Sequence, residues 1–300
     1  MRAWAVAWRG LLLSMAPTCG CCGGVHAGSL WRRMSGRGGG VRMRGSRYCR
    51  AECLELAVAE VLSRMRPEGR TATRTAHRIP LGLLLLSRQQ LTAEQLRAAL
   101  AAQREAGHGK LGAWLRALGY VSEQQLTAAL ARQWSCPLLR SREANIASSR
   151  TSSIPALLLE SFQMIPVEMV EATRTLLIAF SEGLDYGVLY AIEQMLGYRT
   201  EACLVCPSIL QKSLRALVRQ RESSDIVFDR TEDIGECARI IVNYCAKVRA
   251  EQVKLVRCGD YLWIRLERPR EDAVNLLLRA PQESAGPMAV ASAVADACAG

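Results

Sequence analysis

Residues 80–103, PLGLLLLSRQQLTAEQLRAALAAQ, return thirty residues later at 110–133 as KLGAWLRALGYVSEQQLTAALARQ. Leu81/Leu111, Gly82/Gly112, Leu85/Leu115, Leu96/Leu126, Leu100/Leu130 and Gln103/Gln133 fall in register. Any two amphipathic helices share apolar positions, but a shared Leu-Gly, a shared Thr/Ser-x-x-Gln and a shared terminal Gln at fixed offsets mark a duplicated unit. Each copy reads as a short helix, a tight reversal and a longer capped helix. In the second copy Leu111, Trp114, Leu115 and Leu118 stand at i, i+3, i+4 and i+7. Gly119 supplies a left-handed C-terminal residue, and Ser122-x-x-Gln125 makes a capping box that Thr92-x-x-Gln95 repeats in the first copy. Neither helix pair can bury its own stripe, so the copies are expected to pack on each other as an all-helical module over 79–133.

Downstream the pattern changes period. Residues 134–153 are rich in Ser and Arg with one Pro and read as a linker. Over 154–221, Gln163–Val170 and Thr175–Ser181 are apolar runs with β-branched content. Asp185 then opens a helix with Val188, Ile192 and Met195 inward, Gly197 closes it, Tyr198–Val205 is a third strand, and Pro207 starts a helix with Leu210, Leu214 and Leu217 on one face. The result is a ββαβα unit. Over 232–280, a helix carrying Ile234, Cys237, Ile241, Cys245 and Val248 feeds a hairpin, Val253–Cys258 and Tyr261–Glu267, turned at Gly259-Asp260, with Val274–Arg279 as a further strand. In that hairpin Leu262, Ile264 and Leu266 alternate with Tyr261, Trp263 and Arg265 as in a half-buried strand pair. Residues 281–300 read as a disordered tail. The expected fold class is α+β: a small all-helical tandem-repeat module followed by α/β sandwich-like units, behind a disordered N-terminal leader.

That leader, residues 1–77, holds most of the charge. Residues 1–78 carry 14 Lys/Arg against 4 Asp/Glu, so +10 of the formal net charge of +11 lies there and the remainder is nearly neutral. The folded part therefore offers no electrostatic footprint for nucleic acid. Three readings of the leader stay open: an Arg/Gly arm for nucleic acid, a targeting peptide, or sequence upstream of a start at Met65. The last is favoured because the stretch shares no character with the rest of the chain. No stretch approaches the ~18 uninterrupted apolar residues of a membrane span, and the best candidate, Ala3–Met15, is broken by Arg9.

The cysteines read as small buried hydrophobes of a reducing compartment. Cys203-Leu-Val-Cys206 is taken as an isolated pair, and His26, His77 and His108 have no ligand-like spacing, so no metal ligands are assigned. Asp225, Asp229, Glu232 and Asp233 form an acidic cluster without a nucleophile and base at a recognisable spacing. They are expected to solvate a loop and cap the helix near Ile234. No catalytic residue is assigned, and the chain is expected not to be an enzyme.

The motif Leu-Gly-x-x-Leu with Leu-x3-Leu-x-x-Gln following, given twice, resembles the N-terminal domain of type II secretion and type IV pilus assembly ATPases (the GspE N-terminal, MshEN-like family). The likeness extends through QWSCPLL, IPALLLESFQMIPV and TLLIAFSEGLDYGVLYAIEQMLG to about residue 220. The motor's phosphate-binding loop, Gly-x4-Gly-Lys-Ser/Thr, does not occur in this sequence. The resemblance implies a non-catalytic regulatory or adaptor role with a secretion or pilus machinery protein as partner, in the cytoplasm or held at the inner membrane by that partner. Some members bind cyclic di-GMP, so the alternative is a receptor for that ligand, with no other cofactor. A lower alternative is nucleic-acid binding through the Arg-rich leader. By the resemblance the ligand positions are Leu81, Gly82, Leu85 and Gln103 in the first copy and Lys110, Leu111, Gly112, Leu115, Gly119 and Gln133 in the second. The Leu-Gly turns would let backbone approach the ligand. Two departures weaken the expected site: the family's Arg is Pro80 in one copy and Lys110 in the other, and the first copy has Gln89 where the second has Gly119.

Overall fold

The computed structural model describes residues 18–24, 40–65, 78–139, 153–220 and 225–281. Strands β1 (Val41–Met43) and β2 (Ser46–Tyr48) and helix α1 (Ala51–Arg64) come first. The repeat module follows as α2 (Leu81–Ser87), α3 (Ala93–Ala106), α4 (Leu111–Ala117) and α5 (Glu123–Gln133). Next is α6 (Ala156–Ser161), β3 (Met164–Val170), β4 (Thr175–Phe180), α7 (Tyr186–Leu196), β5 (Arg199–Leu204) and α8 (Pro207–Gln220). The chain then forms β6 (Ile226–Phe228), α9 (Ile234–Lys247), β7 (Gln252–Cys258), β8 (Tyr261–Arg268) and β9 (Glu271–Arg279). The fold is α+β, as expected from the change of period along the sequence.

Local chemistry fixes the helix ends. Both capping boxes form, with Thr92 and Ser122 accepting from the amides of Gln95 and Gln125 while each Gln side chain returns to the cap amide. Asp185 accepts from the amides of Gly187 and Val188 at the start of α7, which ends on Gly197 in the left-handed region at φ 71°. Asp233 accepts from the amide of Glu236 at 2.6 Å and so caps α9, the role expected of that acidic cluster. Asp225, from the same cluster, accepts from the Ala156 amide at 2.9 Å and holds the start of α6.

The strands form two mixed sheets. In the ββαβα unit β4 is central, antiparallel to β3 and parallel to β5. Leu138 extends this sheet by a parallel bridge to Leu204, so residues 137–139, expected as linker, lie against its edge. The second sheet has the order β2-β1-β7-β8-β9-β6. One of its faces carries α1 and α9, closing a core of Leu54, Val58, Leu62, Cys237, Ile241, Ile264 and Leu266. Its other face turns Cys258, Trp263 and Leu277 into the core of the ββαβα unit, beside Phe180, Ile192 and Leu210. The reading of the hairpin as half-buried is therefore corrected. Trp263 is fully buried and donates from Nε1 to Asn275 Oδ1 at 3.1 Å, because β8 is sandwiched rather than edged by solvent.

Residues 41–65 fall inside the stretch expected as leader, and the structure gives them a different role. Strand β1 pairs in parallel with β7, and α1 buries Leu54, Val58 and Leu62 against the C-terminal unit. A three-residue strand separated from β7 by some two hundred residues, as β1 is, leaves no periodic trace, which is why composition alone misplaces it. Residues 18–24 and 40 of the expected leader are described as well; its residues 1–17, 25–39 and 66–77, residues 140–152 of the expected linker and residues 282–300 of the expected tail lie outside the described residues.

Candidate functional site

The two copies of the repeat close on each other about a local two-fold. Leu85 and Leu115 are completely buried at its centre, with Leu91, Ala99, Val121 and Ala129 around them. Gly82 lies inside α2, where an added Cβ would stand 2.9 Å from a methyl of Leu96 in the same copy and 3.6 Å from Leu111 in the other. Gly112 repeats the arrangement in α4, 3.0 Å from Leu126 and 3.5 Å from Leu81. The glycines thus let two helices approach, and Leu81 and Leu111 pack across onto the opposite copy's glycine. The expectation that the Leu-Gly pairs are turns opening backbone to a ligand is corrected: both glycines are helical and buried.

The terminal glutamines are exchanged in the same way. Gln103 Nε2 donates to the carbonyl of Gly109, just ahead of α4, at 2.7 Å. Gln133 Nε2 donates to the carbonyl of Ile79, just ahead of α2, at 2.8 Å. Each glutamine at the end of one copy's long helix therefore anchors the entry to the other copy's short helix. Gly119 is exposed at φ 70°, ending α4, and Gln89 holds the same left-handed conformation in the first copy at φ 56°.

Charged groups of the site sit where the module meets the ββαβα unit. Lys110 Nζ pairs with Glu182 Oε2 at 2.7 Å, both side chains largely in water. Arg78 lies with its guanidinium carbon 3.4 Å from the centre of the Trp134 ring, a cation stacked on an indole face. Trp134 in turn leans on Tyr186, ring centres 6.4 Å apart. An added Cβ on Gly183 would stand 3.1 Å from Trp134, so a glycine there admits the indole. Pro80, which replaces an Arg in the pattern, caps α2 without a side-chain hydrogen bond. Helix α5 completes the seam: Glu123 Oε1 accepts from the Ser208 amide at 2.6 Å, and Ala131 enters the core of the ββαβα unit. Ile79, Leu83 and Leu118 leave apolar side chains on the module's surface.

A cleft of about 580 Å³ lies beside α7 and β7, lined among others by Tyr190, Met195, Lys254 and Arg257. Another, of about 430 Å³, is lined by Thr175, Glu193 and Arg199 among others. Neither includes a residue of the repeat. Burial pushes the Cys203 thiol up to about 12, so this member of the Cys203/Cys206 pair is a core hydrophobe. A different cysteine group escapes sequence reasoning: Cys19, Cys22, Cys49 and Cys53 come together at the N-terminal hairpin. Their signal is the spacing Cys-x2-Cys followed by Cys-x3-Cys, which reading the stretch as unfolded conceals.

No family model matches the sequence, and no curated protein matches it. Solved structures do. The structure of MshE with cdg shares 28% identity over 47% of this chain and 99% of that one, with a TM-score of 0.41. The N-terminal domain of XpsE shares 22% identity over 47% of this chain and 94% of its own, with a TM-score of 0.37. In the crystal form I4122 the same domain covers 45% of this chain and 92% of its own, with a TM-score of 0.29. MshE and the XpsE N-terminal domain are thus among the structures this chain is similar to. Among the described residues no helix is long and apolar enough to cross a membrane.

Proposed function

We propose that this chain is a non-catalytic adaptor whose repeat module docks onto a protein of a secretion or pilus machine, in the cytoplasm or at the inner membrane through that partner. The observation that supports it most is the self-closed module. The residues its two copies share are spent on mutual packing, while Ile79, Leu83 and Leu118 stay exposed on its outside. The acidic residues that invited a catalytic reading are engaged elsewhere, Asp233 at a helix cap and Asp225 at another helix start. Ile79, Leu83 and Leu118 offer apolar area for a protein contact. Affinity capture with the full chain from its native host is expected to recover a secretion or pilus component. An Ile79→Asp/Leu83→Asp variant that folds should lose it. Equal recovery by both chains, or recovery of no such component, overturns the reading.

A second reading, a receptor for cyclic di-GMP, is favoured by the local two-fold itself, since two equivalent surfaces can meet the two halves of a symmetric dinucleotide. Lys110 and Arg78 are two cations at the seam, one paired with Glu182 and one stacked on Trp134. Binding would have to draw both from those partners. A ligand at 100 times its dissociation constant raises stability by about 2.7 kcal/mol. The absence of any thermal shift with cyclic di-GMP at roughly 100 μM therefore rejects a receptor of useful affinity.

A further inference from the structure

Residues 18–24, Thr-Cys-Gly-Cys-Cys-Gly-Gly, contain no apolar side chain other than cysteine, yet they are folded against the hairpin β1–β2. The segment reverses tightly, the Cys19 amide donating to Gly24 and the Gly23 amide to Cys19, with Gly23 at φ 66°. The Gly20 amide donates to the carbonyl of Arg47 at 2.9 Å, and Gly20 lies so close to Ser46 that an added Cβ would stand 2.9 Å from it. On the other side of the hairpin, Cys49 precedes α1 and Cys53 sits one turn further along it. A lobe with strands of three residues and a knuckle of polar and glycine residues has little hydrophobic material to hold it, and such lobes need a staple.

The four sulphurs supply one. Cys19, Cys22, Cys49 and Cys53 place their Sγ atoms all within 4.8 Å of one another. Cys22 to Cys49 is 3.7 Å and Cys49 to Cys53 is 3.8 Å. Four thiolates at about 2.3 Å from a common tetrahedral centre stand about 3.8 Å apart, the edge of a mononuclear zinc site. A disulfide would need about 2.0 Å. The spacing Cys-x2-Cys with Cys-x3-Cys also suits a site built from a knuckle and the first turn of a helix. The excess negative charge of four thiolates on a divalent ion is set in a basic surround: Arg42, Arg44, Arg47 and Arg50 occupy the hairpin and its exit.

From this geometry we infer that Cys19, Cys22, Cys49 and Cys53 form a structural zinc site that fastens the N-terminal knuckle to the hairpin and to the start of α1. The site is closed, with all four positions taken by protein sulphur, so the ion supports the fold and performs no chemistry. It stands apart from the repeat module and is independent of the docking function proposed for it. Because α1 packs Leu54, Val58 and Leu62 on the α9 face, the ion secures one end of the six-stranded sheet.

The test is metal analysis of the full chain purified under reducing conditions. One zinc per chain is expected, with X-ray absorption showing four sulphurs at about 2.3 Å. A Cys49→Ser/Cys53→Ser variant should lose the ion, while Cys21→Ser should keep it. Stripping the metal from the wild-type chain should speed tryptic cleavage between residues 40 and 65 roughly tenfold, since the binding energy of such a site is folding energy, and adding zinc should restore resistance. The stoichiometry and ligand set of the wild-type chain decide the matter even if the double variant does not fold. Less than about 0.2 zinc per chain, iron in its place, nitrogen or oxygen among the ligands, or a mapped disulfide within the four cysteines would each overturn the inference.

Discussion

Replacing Gln89 by glycine should stabilise the protein. Gln89 and Gly119 end the short helices of the two copies, at φ 56° and φ 70°. The hydrogen bonds around them match: the amides of Gln89 and Gly119 donate to Leu86 and Arg116, and those of Gln90 and Tyr120 to Leu85 and Leu115. The first copy thus keeps the left-handed geometry that its residue type disfavours by about 1–2 kcal/mol. Glycine relieves that strain but gives the unfolded chain more freedom, returning about 0.4–1 kcal/mol. The net expectation is a gain of about 0.5–1 kcal/mol, or a rise of a few degrees in Tm at about 2–4 °C per kcal/mol. The reciprocal Gly119→Gln should lose a similar amount, and only through the backbone, since nothing lies within 4 Å of an added Cβ there. Urea denaturation followed by circular dichroism measures both. A destabilised Gln89→Gly chain, or a Gly119→Gln chain indistinguishable from wild type, would refute the claim that the copies share one junction geometry.

The same structure sets further expectations. Gln133→Ala and Gln103→Ala each remove one bond to the opposite copy's helix entry and should each cost about 0.5–1.5 kcal/mol; an effect confined to one of them in denaturant titrations would contradict the exchange. Asp233→Ala deprives α9 of its cap and should cost about 1 kcal/mol, with Asp233→Asn close to neutral. Lys110→Ala should leave stability within about 1 kcal/mol, as its partner Glu182 is largely exposed. Burial pushes the Cys203 and Cys245 thiols up to about 12, so between about pH 9 and 12 the unfolded chain sheds protons that the folded chain keeps. Stability should therefore fall as pH rises through that window, by up to about 1.4 kcal/mol per pH unit for each thiol. Cys245→Ala should flatten the slope seen in urea midpoints at pH 8 and pH 10, and an unchanged slope would count against that assignment.

What the sequence disclosed and what it hid divide by the range of the interaction. The capping boxes, the left-handed Gly119 and the apolar stripes of α3 and α5 are written within a few residues and repeat after thirty, so they could be read directly. The exchanged bonds of Gln103 and Gln133 need the knowledge that the copies face each other, which neither copy states alone; yet once facing is assumed, identical offsets require identical bonds. Strand β8 shows the opposite case. Its alternation of Leu262, Ile264 and Leu266 with Tyr261, Trp263 and Arg265 looks half-buried because Trp263 is amphipathic, and only the packing of a second unit onto that face makes its side chain interior. The N-terminal segment was hardest, since arginine and glycine dominate it and β1 meets β7 across most of the chain. Taken as folded, the same segment explains its own composition: cysteines converge, glycines pass close to the hairpin, and α1 fills the α9 face. A chain beginning at Met65 would leave Ile241, Cys245 and Leu266 without Leu54, Val58 and Leu62 to cover them. Removing three buried aliphatic side chains costs on the order of 6 kcal/mol at about 2 kcal/mol each, much of a domain's stability. Expression of residues 65–300 should therefore give an aggregating or molten C-terminal unit, and a cooperative, native-like melt for that truncated chain would show that the N-terminal segment is not part of the core.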